Sequence, residues 1–292
     1  MIRGLEVAGQ TLEYPKGGFT EAESIRILHP ACLARRIHQT RRFTLDSMSS
    51  LRIAAVIPAR LSSTRMTRKV LRSIAGRPMV EWVWRAAQAS CLMDAVVVAT
   101  DADEVAEACR ARRIPVIMTS PACASGSDRV REAARQIDAD IYVNIQGDEP
   151  TLTSDFFPPL LRLFDRSEVE VATLAVDCPA EEIANPNAVK VVTAVDGRAL
   201  YFSRATIPFD RDAMGFNEYR KHLGIYAYRK HALARFSALA PTPLEKVERL
   251  EQLRLLENGI AIYVADAPRD TIGVDTEEDL ARAEAALTER QA

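Results

Sequence analysis

In the stretch YVNIQGDEP, residues 142–150, an apolar alternation runs directly into a cluster of polar side chains. This pattern is typical of a buried central strand that delivers functional groups at its C-terminal end. In open α/β sheets, ligands bind in the crevice beyond those ends. Gly147 permits close approach of the backbone, and Pro150 ends the strand because it has no amide hydrogen to donate. The stretch predicts a ligand-binding edge, although a strand followed by an acidic turn would have a similar sequence.

Short apolar strands and amphipathic helices alternate through the region around this stretch. Such alternation predicts an α/β fold with a mostly parallel sheet flanked by helices, because right-handed crossovers connect parallel strands. Strands are predicted at residues 53–57, 95–99, 115–118 and 141–145, and helices at residues 78–90, 102–112 and 128–137.

The second half of the chain departs from this alternation, since its strands arrive in pairs with long connections. We therefore predict an antiparallel subregion within the α/β core. Strands are predicted there at residues 169–176, 189–195, 222–228 and 260–264, and helices at residues 243–257 and 276–287.

The composition is ordinary for a soluble globular protein, with 48% hydrophobic and 27% charged residues. A net charge of −2 provides no overall field that would attract nucleic acid or an anionic membrane. No apolar run reaches the roughly 18 residues that indicate a membrane span. The five cysteines lack the short spacing of a metal or redox motif, so we predict free thiols in a reducing cytoplasm.

Residues 1–50 lack the strand periodicity of the later chain and contain mixed charges. Their acidic side chains argue against a transit peptide, and they have no apolar segment typical of a secretory signal. We predict that residues 1–50 are a poorly ordered N-terminal extension and that residues 51–292 form a single domain.

A basic loop rich in hydroxyl groups follows the first predicted strand at residues 58–65, and Lys69 comes shortly after it. Cations such as Arg60 at the end of a strand could cradle a polyphosphate, although a solvated basic loop would have the same composition. No GxGxxG motif follows the first strand, and no GxxxxGK(S/T) motif occurs in the chain. These absences argue against a Rossmann dehydrogenase and a P-loop NTPase.

Two further polar segments precede predicted helices. Residues 124–129 and residues 273–279 both contain good N-cap residues, so each could simply cap its helix. Each could also hold a ligand. If the fold brings Asp148 and Asp275 together opposite the basic loop, their carboxylates would suit Mg²⁺ bound with a nucleoside triphosphate.

Taken in order, these motifs resemble the 3-deoxy-manno-octulosonate (Kdo) cytidylyltransferases, or CMP-Kdo synthetases, over nearly all of residues 53–287. The matching segments are residues 57–60, 63–65, 76–79, 98–101, 125–129, 144–150, 185–192, 201–208, 222–226, 250–254 and 273–276. The resemblance implies a nucleotide-diphospho-sugar transferase-like fold, a homodimer formed through the antiparallel subregion, and a catalytic domain at residues 51–292.

The implied reaction transfers CMP from CTP to the anomeric hydroxyl of Kdo, giving pyrophosphate and CMP-Kdo for lipopolysaccharide biosynthesis in the cytoplasm. The implied cofactor is Mg²⁺, and neither nucleic acid nor membrane insertion is expected. Two alternatives stay open. The chain could be a cytidylyltransferase for another acid sugar, such as 8-amino-Kdo, or a non-catalytic nucleotide-binding relative.

The resemblance also assigns site residues position by position. The residues implied to bind CTP are Ala59, Arg60, Lys69, Ser125, Gly126 and Arg129. The implied Mg²⁺ ligands are Asp148 and Asp275, which form the catalytic set with Arg60 and Lys69. The implied sugar-acid pocket contains Gln146, His222, Tyr226, Glu251 and Gln252, with Arg204 as a further member. A helix salt bridge to Arg254 would be an alternative explanation of Glu251.

The chain departs from the family in the loop that carries Lys69. The family usually has Leu-Pro-Gly-Lys-Pro-Leu where this chain has MTRKVL, residues 66–71. The lysine is retained, but Arg68 replaces the glycine. Because a side chain makes the conformations of glycine costly, we expect this loop to follow a different path.

Overall fold

The computed structural model describes residues 6–7, 10–11, 51–61, 66–123 and 125–290. The first strands are β1 (Glu6–Val7), β2 (Gln10–Thr11), β3 (Ile53–Pro58), β4 (Ser73–Ile74), β5 (Arg77–Pro78), β6 (Ala95–Thr100) and β7 (Val116–Met118). The later strands are β8 (Ile141–Asn144), β9 (Val171–Asp177), β10 (Lys190–Thr193), β11 (Ala199–Ser203), β12 (Arg220–Arg229) and β13 (Ile262–Asp266). Apart from the β1–β2 hairpin, the predicted N-terminal extension lies outside the described residues.

Eight α-helices occur within the described ranges, with short 3₁₀ turns between some of the elements. The helices are α1 (Met79–Ala89), α2 (Asp103–Arg110), α3 (Gly126–Ala134), α4 (Phe157–Arg162), α5 (Lys230–Ala238), α6 (Pro243–Glu248), α7 (Leu253–Glu257) and α8 (Glu277–Glu289). The 3₁₀ turns are Lys69–Leu71, Ser154–Phe156, Leu163–Asp165 and Ala180–Glu182.

Nine of the described strands form one sheet, in the order β11-β10-β12-β8-β3-β6-β7, while β9 pairs with β12 and β13. The part that runs from β8 through β3 and β6 to β7 is parallel. Strand β10 pairs antiparallel with β11 and with β12, and β12 also runs antiparallel to β8. The α/β fold with a parallel core and an antiparallel subregion, predicted from the sequence, is confirmed.

Strand β3 is buried along its whole length because both faces of the sheet are covered. Ile53, Ala55 and Ile57 belong to a core cluster that includes side chains of α1 and α4. Ala54 and Val56 belong to a second cluster on the other face, which includes side chains of α3 and α5. Burial of each large apolar side chain contributes about 1.5–3 kcal/mol. The C-terminal ends of β3 and β8 are therefore fixed at one edge of a rigid sheet.

The single long helix predicted at residues 243–257 is wrong, because the chain there forms two short helices, α6 and α7. Arg249 adopts a left-handed conformation with φ 54° and ψ 48°. The amide of Leu250 donates a hydrogen bond to the carbonyl of Glu245, which closes the end of α6. The apolar spacing continues through this break, so periodicity alone does not reveal it. The break places Glu251 and Gln252 in the turn that leads into α7.

In the loop before Lys69, Arg68 adopts the backbone conformation that glycine favours. Arg68 adopts φ 56° and ψ 32°, in the left-handed region. Its guanidinium pairs with Glu104 of α2. Arg68 therefore adopts a conformation that glycine takes readily, while the expected difference in the path of the loop stays a prediction. A 3₁₀ turn at Lys69–Leu71 follows directly.

The cysteines only partly match the prediction of free thiols. Cys109, Cys123 and Cys178 are free, whereas Cys91 is disulfide-bonded. No helix in the described part of the chain has the length and apolar character needed to cross a membrane.

Candidate active site

A cavity of about 680 Å³ lies beyond the C-terminal end of β8. Its walls come from the segment after β8, from β12, from the turn between α6 and α7, and from the segment that precedes α8. The cavity is lined by residues that include Gln146, Asp148, Tyr226, Gln252 and Asp275. The ligand-binding edge predicted from residues 142–150 therefore coincides with a large polar cavity.

The carboxylates of Asp148 and Asp275 converge on the ammonium group of Lys69. Lys69 Nζ donates hydrogen bonds to Asp148 Oδ2 and to Asp275 Oδ1, both at 2.7 Å. Lys69 is only 7% exposed. Burial lowers the pKa of Lys69, but the charges and hydrogen bonds of Asp148 and Asp275 together raise that pKa above its ordinary value. Three residues distant in the sequence therefore form one charged cluster at the edge of the cavity.

A backbone hydrogen bond joins the segment that carries Asp148 to the segment that carries Asp275. The amide of Val274 donates to the carbonyl of Asp148 at 2.9 Å. Thr276 and Asp279 form a reciprocal capping box at the start of α8. The amide of Asp275 also donates to the Asp279 carboxylate. The capping interpretation of this segment is correct, and the cap leaves the Asp275 side chain directed at Lys69.

The same two carboxylates fit a divalent cation. Asp148 and Asp275 direct hard oxygen atoms at a single position, which Lys69 Nζ occupies. Mg²⁺ commonly takes only one or two carboxylates from the protein and fills its coordination sphere with water and phosphate. Among the described residues, no group of three or more His, Cys, Asp or Glu side chains could hold a metal ion. Asp148 and Asp275 could hold Mg²⁺ at this cavity, with water and phosphate as its other ligands.

Glu149 also lines the cavity, although no role was predicted for it. Burial raises the pKa of Glu149 to about 8, and the adjacent charge of Asp148 acts in the same direction. A hydrogen bond with Thr271 opposes this shift. The position of Glu149 directly after Asp148 in the polar cluster was the signal in the sequence that could have identified this residue.

Strand β12 supplies two neutral polar side chains to the cavity wall. Burial lowers the pKa of His222 to about 3, so the imidazole is neutral at physiological pH. His222 Nε2 lies 3.0 Å from Thr173 Oγ1. Burial, together with Tyr228 and Glu251, raises the pKa of Tyr226 well above its ordinary value. The buried Tyr226 hydroxyl makes no hydrogen bond of good geometry in the described part of the structure, although an interaction with Thr173 partly opposes the rise in its pKa.

Glu251 is held by a residue from the other side of the cavity. Ser127 Oγ, on α3, donates to Glu251 Oε2 at 2.8 Å. Arg254, the alternative partner of Glu251, instead donates to the carboxylate of Glu245. The contact between Ser127 and Glu251 therefore connects α3, which carries the predicted CTP-binding residues Gly126 and Arg129, with the turn between α6 and α7 that carries part of the predicted sugar pocket.

None of the residues predicted to bind CTP, including Lys69, is among the residues that line this cavity. The amide of Ala59 donates to the carbonyl of Ala99, and Arg60 Nη2 donates to the carbonyl of Cys123 at 2.9 Å. Ser125 caps α3. A Cβ atom at Gly126 would lie 3.5 Å from Gln146 Oε1, so Gly126 adjoins the cavity through Gln146.

Arg129 is completely buried. It lies 3.0 Å from Asp101 and donates a hydrogen bond to Thr119. These contacts connect α3 with the ends of β6 and β7. Arg129 therefore holds the N-terminal part of α3 against the ends of these two strands.

Arg204 also lies outside the cavity wall, although it was predicted to join the sugar pocket. Its guanidinium donates to the carbonyls of Pro186, Glu248 and Arg249. These bonds tie the end of α6 to the loop before β10. Arg204 therefore fixes the turn that carries Glu251.

Two lysines near the cavity were not identified from the sequence. Lys190 is completely buried, and its Nζ donates to the carbonyls of Asn185, Ala188 and Arg204. Lys221 lines the cavity and pairs with Glu182 and Asp270. A lysine within an apolar strand sequence was the available signal for Lys190.

Comparison with known proteins places this architecture in a family. Residues 54–262 match the family model described as Cytidylyltransferase. Over 244 residues, the chain is 65% identical to the 3-deoxy-manno-octulosonate cytidylyltransferase of Acidobacterium capsulatum, which covers 84% of this chain and 100% of that protein. The chain belongs to the 3-deoxy-manno-octulosonate cytidylyltransferase family. The family resemblance predicted from the ordered motifs is confirmed.

Further comparisons support the same family assignment for this cytidylyltransferase. The enzyme of the same name from Koribacter versatilis is 52% identical over 241 residues, 82% of this chain and 92% of that protein. A solved CMP:2-keto-3-deoxy-manno-octonic acid synthetase complexed with CTP is 40% identical, with a TM-score of 0.79 over 82% of this chain and 99% of that one. A 4-diphosphocytidyl-2C-methyl-D-erythritol synthase from Anaerococcus prevotii, at 13% identity and a TM-score of 0.57, covers the same 82% of this chain and 99% of its own and shares the fold alone.

Proposed function

We propose that this protein transfers CMP from CTP to the anomeric hydroxyl of Kdo and releases pyrophosphate. The convergence of Asp148, Asp275 and Lys69 at the edge of a polar cavity is the observation that carries the proposal. The names of its close relatives and the CTP held by a solved relative support it. A cytoplasmic location and a role in lipopolysaccharide biosynthesis belong to the same proposal.

In this reaction the sugar oxygen forms a bond to the α-phosphorus while the bond from that phosphorus to the pyrophosphate oxygen breaks, and the proton of the hydroxyl is released to solvent. Asp148 and Asp275 would hold Mg²⁺, which supplies Lewis-acid activation of the phosphate and of the attacking hydroxyl. Arg60 and Lys69 would neutralise the charge that develops on pyrophosphate. Fixing the two substrates in line would supply much of the remaining acceleration.

The polar wall of the cavity suits a hydroxyl-rich acid sugar. Gln146 and Gln252 offer both donors and acceptors, and His222 and Tyr226 are neutral. Glu251 is positioned to accept a hydrogen bond from a sugar hydroxyl while Ser127 holds its other side. These groups would orient the anomeric hydroxyl toward the Asp148–Asp275 pair.

A pyrophosphate-release assay over a panel of acid sugars, with and without Mg²⁺, tests this proposal. We expect turnover with CTP and Kdo that depends on Mg²⁺, and a loss of at least about 100-fold in Asp148→Asn, which removes a metal ligand. Asp177→Asn, which changes an exposed aspartate at the end of β9, is the matched control and should retain activity. A preference for 8-amino-Kdo would favour the alternative substrate.

A protein that neither released pyrophosphate nor bound CTP would contradict the enzymatic proposal. CTP binding without turnover for any acid sugar would favour a non-catalytic nucleotide-binding relative. Full activity of Asp148→Asn would show that the metal assignment is wrong.

We also propose that the protein is a homodimer joined through the antiparallel subregion. Strand β11 is an end strand of the sheet order. Leu200 of this strand and Phe209 and Met214 in the following loop are exposed large apolar side chains. Phe209→Asp should convert the dimer to a monomer in sedimentation experiments. Met118→Asp, on β7 at the other end of the order, should leave the assembly unchanged.

A further inference from the structure

The ammonium group of Lys69 lies where a cation shared by Asp148 and Asp275 would lie. Its Nζ is 2.7 Å from one oxygen of each carboxylate. The side chain of Lys69 is almost entirely enclosed, whereas those of Asp148 and Asp275 are 36% and 56% exposed. The lysine therefore approaches from inside the protein, and the two carboxylates face the cavity. It neutralises much of the repulsion between the two negative charges.

Lys69 and a divalent ion cannot occupy this position together. Both are cations, and charges a few ångströms apart near a protein surface repel by several kcal/mol. An ion that takes both carboxylates must therefore displace the ammonium group. The triphosphate of CTP offers the displaced lysine another anionic partner, since the lysine follows the predicted phosphate loop in the chain.

We infer that Lys69 acts as an internal substitute for the metal ion, keeping the Asp148–Asp275 pair closed to divalent cations until a nucleotide triphosphate draws its ammonium group away. This inference rests on the proposed function for the identity of the nucleotide. The metal ion and the nucleotide would then enter together, with Lys69 moving from the carboxylates to the phosphates. A metal ion without nucleotide would bind weakly, because it would have to leave the lysine buried and unpaired.

Binding of Mn²⁺ in the absence of nucleotide tests the inference directly. Lys69→Met keeps the length and apolar stem of the side chain but removes the competing charge. We expect its affinity for Mn²⁺ alone, measured by electron paramagnetic resonance, to exceed that of the wild-type protein by roughly 5–150-fold, the usual range for coupled sites. Lys230→Met is the control, because it removes the charge of a lysine that pairs with a single carboxylate, that of Asp138.

Three outcomes would overturn the inference: an unchanged or weaker Mn²⁺ affinity in Lys69→Met, an equal gain in Lys230→Met, or no Mn²⁺ binding by Lys69→Met at all. Thermal unfolding establishes whether the variants are folded. These measurements contain neither CTP nor Kdo, so their result is independent of the pyrophosphate-release assay that decides the proposed function.

Crystals of the wild-type protein give a second test that needs no variant. With Mn²⁺ and CTP, we expect an anomalous peak between Asp148 and Asp275, with Lys69 Nζ moved to the phosphates. With Mn²⁺ alone at the same concentration, we expect no peak there and Lys69 bonded to both carboxylates. A Mn²⁺ peak with Lys69 still at hydrogen-bond distance from both carboxylates would contradict the inference.

Discussion

Gly273 lies so close to Glu149 that a Cβ atom at this glycine would come within 2.9 Å of Glu149 Oε1. Glu149 directly follows Asp148, and Gly273 comes shortly before Asp275 in the other aspartate segment. The absence of a side chain at Gly273 therefore allows the two segments that carry the carboxylates to approach each other.

Gly273→Ala should disturb both stability and activity. The added methyl group must displace the carboxylate of Glu149, the flexible end of its side chain, so the cost is at most the roughly 1–3 kcal/mol that overpacking typically causes. We expect a lower midpoint of thermal unfolding and a reduced rate of pyrophosphate release, because the Asp148–Asp275 geometry shifts. Gly224→Ala is the control, since a Cβ atom there meets only Gln146 Cγ, at 4.0 Å. Equal unfolding midpoints for the two variants would contradict the predicted clash.

Arg68→Gly should stabilise the protein even though it removes an ion pair. The left-handed conformation of Arg68 costs a side-chain-bearing residue about 1–2 kcal/mol. The exposed pair with Glu104 contributes only about 0–1 kcal/mol. We expect a higher free energy of unfolding in urea. Arg72→Gly, at φ −59°, should instead lower it, so a loss of stability in both variants would show that Arg68 is not strained.

Ser127→Ala should weaken sugar binding more than CTP binding. The variant removes the hydrogen bond that holds Glu251, and bonds to charged groups contribute about 1.5–3 kcal/mol. We expect the KM for Kdo to rise by about tenfold or more, with a smaller change in the KM for CTP. Ser237→Ala, which removes a hydroxyl that bonds only within α5, should leave both values unchanged. An equal rise in both KM values in Ser127→Ala would argue against a specific role for Glu251 in the sugar pocket.

His222 should make stability depend on pH. Burial lowers its pKa from 6.5 to about 3, so between these values the unfolded chain binds a proton that the folded protein does not. The contribution of His222 to stability is therefore complete above pH 6.5 and falls as the pH drops toward 3, by up to about 1.4 kcal/mol per pH unit. Urea unfolding from pH 4 to pH 8 should show a flatter dependence in His222→Gln. A pH dependence in His222→Gln equal to that of the wild-type protein would show that His222 does not carry it.

Much of the fold follows from local sequence. The alternation within residues 142–150 correctly predicts the buried strand β8, and Gly147 permits the expected close approach, since a Cβ atom there would lie 3.0 Å from the carbonyl oxygen of Pro58. Periodicity also predicts the parallel core. These features are accessible because burial on one or both faces of a strand or helix imposes a repeat on neighbouring residues.

Local patterns do not predict a conformation that depends on contacts between distant segments. Apolar spacing continues across Arg249, so the break between α6 and α7 is invisible to periodicity, and the bonds from Arg204 to Glu248 and Arg249 help to fix it. Arg68 adopts a conformation that its residue type disfavours. In both places the surrounding structure outweighs the local preference of the residue.

The sequence by itself determined the family, the α/β architecture and the identity of the polar residues at the strand ends, because these depend on residue types and their order. Only the tertiary structure decided which of those residues meet. It placed Lys69 between Asp148 and Asp275, turned Arg129 toward Asp101, and joined Ser127 to Glu251. Such pairings depend on how the packed sheet and helices bring distant segments within hydrogen-bond distance, which no local pattern of residues specifies.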